Sequence, residues 1–130
     1  MTTIRRFEDL EVWKRARELT KLVYKLTGTP QFNRDIRLRN QMRDAVVSIL
    51  SNIAEGFSRH TDKEFIQFLY VSRGSAAELQ SQSYIALDHD YFPLVAFERI
   101  YEEIDHTSRM LSNLIKYLRT SARTNRRFDS

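Results

Sequence analysis

Lys14, Arg17, Lys21 and Lys25 recur at spacings of three, four and four residues, which brings their side chains to one face of a helix. A row of cations of this kind neutralises phosphates, so nucleic acid held by it binds more weakly as salt rises, by a slope of about −0.9 per contact on duplex DNA. Two further clusters carry the same chemistry: Arg34, Arg37, Arg39 and Arg43 ahead of the chain's midpoint, and Arg119, Arg123, Arg126 and Arg127 in RTSARTNRRFDS. A net charge of +4 and a pI near 9.6 are the electrostatic footprint of a polyanion binder. The same residues also suit an ordinary solvated face, and Glu11 has the i,i+4 spacing for a surface pair with Arg15.

Aromatic side chains add a second possible contact to nucleic acid. Trp13, Tyr24, Phe65, Phe68, Tyr70, Phe97 and Tyr101 could stack on bases, but their helical spacing assigns them to a core or an interface. No RNP-like strand motif, zinc finger or helix-turn-helix pattern is present, so any binding is directed by backbone or shape.

Catalytic chemistry finds little support. Glu103 and His106 form a Glu-x-x-His pair, the spacing of di-iron bundles, but that motif must occur on two helices. The other histidines, His60 and His89, have Phe57 and Ala86 three positions earlier, and the stripe through Tyr101, Ile104 and Ser108 leaves Glu103 off the core face. Asp88, His89 and Asp90 are consecutive and diverge at a helix end. The absence of cysteine removes disulfides, thiol nucleophiles and Cys-based zinc sites. Glu55 and Asn52 have no nucleophile or oxyanion-hole pattern beside them. The expectation is a protein that is not an enzyme, with no metal and no cofactor.

Four amphipathic segments must position these residues. Val12, Ala16, Leu19, Val23 and Leu26 mark the first apolar seam, and Leu38, Met42, Ala45, Ile49 and Ile53 the second. Phe65, Leu69, Ser72, Ala76, Leu79 and Ala86 mark the third, and Phe97, Tyr101, Ile104, Ser108, Leu111, Ile115 and Leu118 the fourth. The spacing predicts helices over about 9–27, 34–55, 62–88 and 94–121, in one domain over 1–121, followed by a basic, mobile tail over 122–130. Three glycines and two prolines leave few breaks. The economical arrangement is all-α, an antiparallel up-down-up-down four-helix bundle. Gly56 is expected to end the second helix in the left-handed conformation, and Thr61 with Glu64 has capping-box spacing for the third. Gly74 costs about 1 kcal/mol against alanine inside a helix; a tight helix crossing would compensate, as would a notch where another subunit or a ligand docks. No stretch approaches the length of a membrane span, and the N-terminus has no apolar signal core, so a cytoplasmic location is expected.

The segments FEDLEVWKRARELTKLVYKLT, LRNQMRDAVVSILSNIAEGFSR, KEFIQFLYVSRGSAAELQSQSYIA and EEIDHTSRMLSNLIKYLR resemble the four-helix-bundle family named for the 23S ribosomal RNA intervening sequence. Its most specific parts are DLEVWK, SNIAEG and RGSAAEL, in the family's order and approximate spacing. Leu50 stands where the family usually has proline, which implies a straighter second helix, and LDHDYF replaces its Leu-Gly-Tyr turn, which implies a different bundle end. The resemblance implies no assigned catalytic activity, a homopentameric ring, and a structural or interface role for Trp13, Asn52, Glu55, Gly56, Arg73, Gly74 and Glu78. The family is also similar to the accessory variability determinant of diversity-generating retroelements, a basic ring-shaped bundle. That similarity implies RNA, DNA or a reverse-transcriptase-like protein as partner. A ring needs head-to-tail contacts, and the charge distribution suits one: residues 1–60 carry twelve basic and seven acidic side chains, residues 61–118 five and nine. The alternative is a protein-interaction or structural oligomer without direct nucleic-acid binding.

Overall fold

Apolar residues at helical spacing build α1 (Glu11–Thr27), α2 (Ile36–Phe57), α3 (Asp62–Asp88) and α4 (Leu94–Arg123). The computed structural model describes residues 4–123, with side chains through Thr120, and no strand occurs among them. Arg123 is thus described as backbone only, and the expected tail from 124 onward, with Arg126 and Arg127, lies outside the described residues. α2 packs on α3, α3 on α4, and α1 on both α2 and α4, the order of an antiparallel up-down-up-down bundle. The inward stripes meet in one core, where Leu19, Met42, Ile49, Phe65, Leu79, Ile104 and Leu111 are excluded from solvent.

Helix starts are set by local chemistry. α1 begins at Glu11 rather than near residue 9 because Phe7–Asp9 form a 3-10 turn, whose Phe7 ring meets Trp13 edge-on at 5.1 Å. α2 begins at Ile36 because Asp35 caps it, accepting the Leu38 amide at 3.0 Å. Thr61 caps α3 by accepting the Glu64 amide, while its hydroxyl donates to the Glu64 carboxylate, both at 3.1 Å.

The SNIAEG segment ends differently from the expectation. Gly56 lies inside α2 and no glycine has a positive φ; Ser58, with φ −75°, forms the C-cap. Space is what demands glycine there, because a Cβ at Gly56 would lie 2.8 Å from both Phe65 Cδ1 and Phe68 Cβ of α3. The left-handed cap belongs instead to α3. Asp90 has φ 58°, the Tyr91 amide donates to Ala86 O at 2.9 Å and the Asp90 amide to Leu87 O at 3.1 Å, which is a Schellman closure without glycine. α2 runs unbroken through Leu50.

The two connections at this end knit together. Phe32 is fully buried against Tyr91 and Phe92, with ring centroids at 5.2 and 6.0 Å. Tyr91 donates its hydroxyl to Asp35 at 3.0 Å, and Gln31 donates its amide to Asp90 O at 2.6 Å. Along the α2–α3 seam, Ser72 donates to Ile49 O at 2.9 Å and the Ser48 and Ser75 hydroxyls share a hydrogen bond of 2.8 Å.

Candidate nucleic-acid interface

The inward residues of α1, Val12, Ala16, Leu19 and Val23, leave Lys14, Arg17, Lys21 and Lys25 on its outer face, where all four are exposed. Among the described residues, none of them ties α1 to another helix. Lys14 pairs with Glu11 and Lys21 with Glu18, each at 3.0 Å and each within α1; the Arg17 guanidinium lies 5.9 Å from the Trp13 ring centroid. Lys25 makes no ion pair with a described residue. Exposed i,i+3 pairs of this kind are weak, so a phosphate can displace the glutamate at little cost. Arg15 does not take the expected partner Glu11; it reaches across to Glu103 of α4 at 3.1 Å.

The second cluster divides. Arg34 and Arg37 are exposed, at the bundle end that Lys25 adjoins. Arg39 donates to Asn33 Oδ1 at 2.9 Å and to Asn40 Oδ1 at 3.2 Å. Arg43 is structural: its Nε donates to Thr27 Oγ1 at 2.9 Å and its guanidinium lies 4.5 Å from the Tyr24 ring centroid, tying α2 to α1. In the third cluster Arg119 is exposed, with its guanidinium 5.5 Å from the Tyr70 ring. This end of α4 lies at the opposite end of the bundle from Arg34 and Arg37, so Arg119, the one described side chain of its cluster, does not share a patch with them.

The aromatic residues are mostly inside. Phe65 and Phe97 are buried, and Trp13, Phe68, Tyr70 and Tyr101 are half-buried, whereas Tyr24 keeps 43 % of its surface. Among the motif residues, Asn52 donates to Ser48 O at 2.8 Å, and Glu55 pairs with Arg59 at 2.9 Å. Arg73 donates to Ser112 of α4 at 3.2 Å. Glu78 is exposed, and a Cβ at Gly74 would meet nothing within 4 Å, so no helix crossing among the described residues explains that glycine.

One constellation was not read from the sequence. Phe97, Glu98, Tyr101, Glu102 and Asp105 line an open groove of about 350 Å³ on α4, and Tyr84 of α3 stands beside it, 4.8 Å from Phe97 and 5.8 Å from Tyr101 between ring centroids. Tyr84, with partial burial and the Asp105 charge, raises the Tyr101 hydroxyl above its ordinary pKa. The signal was present as acids at 98, 102 and 105, spacings of four and three that share a helix face.

Comparison with known proteins decides the family. Residues 8–113 match the family described as 23S rRNA-intervening sequence protein. The chain belongs to that family. A solved structure from Bacteroides thetaiotaomicron VPI-5482, described as a protein with unknown function from the S23 ribosomal protein family, has the same fold with a TM-score of 0.75. The match is 20 % identical and covers 81 % of this chain and 98 % of that one. No curated protein matches. Neither the 23S rRNA-intervening sequence family description nor that of the structural neighbour names a catalytic activity. No helix among the described residues is long and apolar enough to cross a membrane.

Proposed function

We propose that this member of the 23S rRNA-intervening sequence family is a non-enzymatic, cytoplasmic protein that binds nucleic acid through phosphate contacts along α1. One observation carries the reading: Lys14, Arg17, Lys21 and Lys25 project from a single outer face and none is spent on holding the bundle together. Exposed Arg34 and Arg37 extend that face at one end. The cations present no fixed fork toward base edges, so the contact is to backbone and tolerant of sequence.

The test is a titration of nuclease-treated protein against duplex DNA and structured RNA over a salt series, with Lys14→Glu, Arg17→Glu, Lys21→Glu as comparison. Affinity should fall steeply with salt and be lost in the triple variant. No binding by the wild-type chain at low salt would sink the reading.

The second reading is a protein-interaction or structural homo-oligomer, a pentamer by the family resemblance. Gly74 favours it. That residue sits mid-helix with open space around it, on a stretch of α3 whose only charges between Phe65 and Leu87 are Arg73 and Glu78, and Val71 and Ile85 are exposed nearby on the same helix.

A further inference from the structure

We infer that Tyr70, Arg73 and Arg119 form an anion site on the α3–α4 seam that takes a phosphate group, apart from the cations of α1. Two guanidiniums converge on one ring: Arg73 of α3 lies 4.9 Å and Arg119 of α4 lies 5.5 Å from the Tyr70 ring centroid. Like charges held this close repel each other. Arginines elsewhere in the bundle have carboxylates to answer them, Arg15 with Glu103, Arg59 with Glu55 and Arg109 with Asp105. Arg73 and Arg119 have none among the described residues. Arg73 gives one N–H to Ser112 Oγ at 3.2 Å, and Arg119 makes no hydrogen bond with a described residue. A guanidinium carries five N–H donors, so most of the donors here are not spent on the protein.

The local sequence leaves this charge unbalanced. No Asp or Glu occurs from Phe65 to Ala77, nor from His106 to Phe128, so neither stretch supplies a carboxylate beside Tyr70. Lys116, exposed and three residues before Arg119, adds a third cation on α4. On α1, by contrast, Lys14 and Lys21 each have a glutamate within the helix. The two sites also differ in order. The α1 cations are exposed, whereas Arg73 is half-buried, tied to Ser112 and laid on the half-buried Tyr70. A guanidinium held by a ring and a hydroxyl gives up little further freedom on binding, and its planar fork matches two phosphate oxygens. Gly74 beside it and Ala77 one turn on, both exposed, carry no side chain long enough to cover it.

The chemistry selects phosphate. A carboxylate fills one guanidinium fork, whereas a phosphate presents further acceptor oxygens, enough for both arginines and Lys116. Two sources carry that group: a free phosphate or phosphomonoester, and the backbone of a nucleic-acid strand. The site lies at the end of the bundle opposite Arg34 and Arg37, so it does not extend the patch they form with α1. A phosphate at Tyr70 requires nothing of α1. Arg73 is the first residue of RGSAAEL, so that segment acquires a binding role through it.

Side-chain NMR tests this with inorganic phosphate as the probe, the Nε–H signals of Arg73 and Arg119 being followed at fixed ionic strength. Both signals should shift saturably, and Arg119→Gln should weaken the binding by about tenfold or more, with circular dichroism as the check that it folds. Arg73→Lys keeps the charge but gives up the fork, and should weaken binding as well; if loss of the Ser112 tie costs the fold, the Arg119 variant alone decides. A second titration uses oligothymidylate without terminal phosphates, whose only phosphates are diesters. Saturation by that oligonucleotide at the same two signals assigns the site to a nucleic-acid backbone, and saturation by inorganic phosphate alone assigns it to a free phosphate or phosphomonoester. No saturable shift with either probe, or undiminished binding by the Arg119→Gln chain, would overturn the inference. The α1 reading fails separately. Oligonucleotide shifts at Arg73 and Arg119 with none at Lys14, Arg17 and Lys21 would remove α1 from the contact and leave this site standing, whereas shifts on α1 alone, with no response of the arginine pair to inorganic phosphate, would remove this site.

Discussion

Asp35 accepts the Leu38 amide with one carboxylate oxygen and the Tyr91 hydroxyl with the other, so a single side chain both starts α2 and ties it to the α3–α4 connection. The Leu38 amide is the largest cause that holds its pKa below the ordinary carboxylate value; burial opposes it, and the Tyr91 hydroxyl, His89 and Arg37 add smaller lowering effects. A folded pKa below the unfolded one gives stabilisation that is complete above the unfolded value, about 3.9, and is lost as pH falls through the folded value. Asp35→Ala should therefore cost about 1 kcal/mol at neutral pH, and the gap in urea midpoint between variant and wild type should narrow as pH falls below the unfolded value. A gap of equal size at both pH values would contradict the capping role. Asp90 holds a φ of 58°, where a side chain carries a steric cost that glycine does not. Asp90→Gly should raise stability by about 0.5 kcal/mol, read as a small rise in the thermal midpoint. The left-handed residue was not legible because the sequence signal for such a cap is glycine, and Gly56 drew that assignment instead.

α2 and α3 each contain a glycine within the helix, and the surroundings give the two opposite roles. A methyl at Gly56 would press on Phe65 and Phe68 at 2.8 Å, and Phe65 is locked in the core while the Phe68 atom is a Cβ that moves only with its helix. Gly56→Ala should therefore destabilise by about 1–3 kcal/mol through overpacking. Gly74 has open space, so Gly74→Ala should stabilise the isolated chain by up to about 1 kcal/mol. Denaturant titration of the two variants checks the pair, and a shift of the same sign in both would refute the account. If α3 docks on a partner at Gly74, the same alanine should weaken that association while stabilising the subunit. Sequence alone placed Gly74 inside a helix, where a tight crossing or a docking notch would explain it, and Gly56 just past the second helix as its left-handed stop. The reason is that close approach depends on which residue of a neighbouring helix lies opposite, and helix periodicity does not contain that register.

For the molecule as a whole, the described cations are spread over α1 and both ends of the bundle. α1 faces outward along its length, Arg34 and Arg37 lie at one end and Arg119 at the other, and Arg15 and Arg43 are consumed by ties between helices. A nucleic acid that follows α1 meets about four cations, so the logarithm of affinity should fall with the logarithm of salt by a slope of about −3 to −4 on duplex DNA. Replacing Lys25 or Arg17 singly with alanine should reduce that slope by about one, whereas Arg43→Ala should leave it unchanged and lower stability instead. A salt series on each variant separates the two. An undiminished slope in the Arg17 variant would remove that residue from the contact.

The sequence by itself determined the all-helical bundle, the approximate extent of its four helices and the family, because core positions must repeat at the helical period and that period is written along one chain. It also determined that the cations of α1 share a face, since three- and four-residue spacings fix direction on a single helix. The tertiary structure decided which charges are committed. Arg15 goes to Glu103, Arg43 to Thr27 and Tyr24, Gly56 to the rings of α3, and Tyr84 of α3 to the rings of Phe97 and Tyr101 on α4. Each of those contacts joins two helices, and the axial register and facing of one helix against another come from how whole side-chain surfaces interlock, which no spacing within one helix encodes.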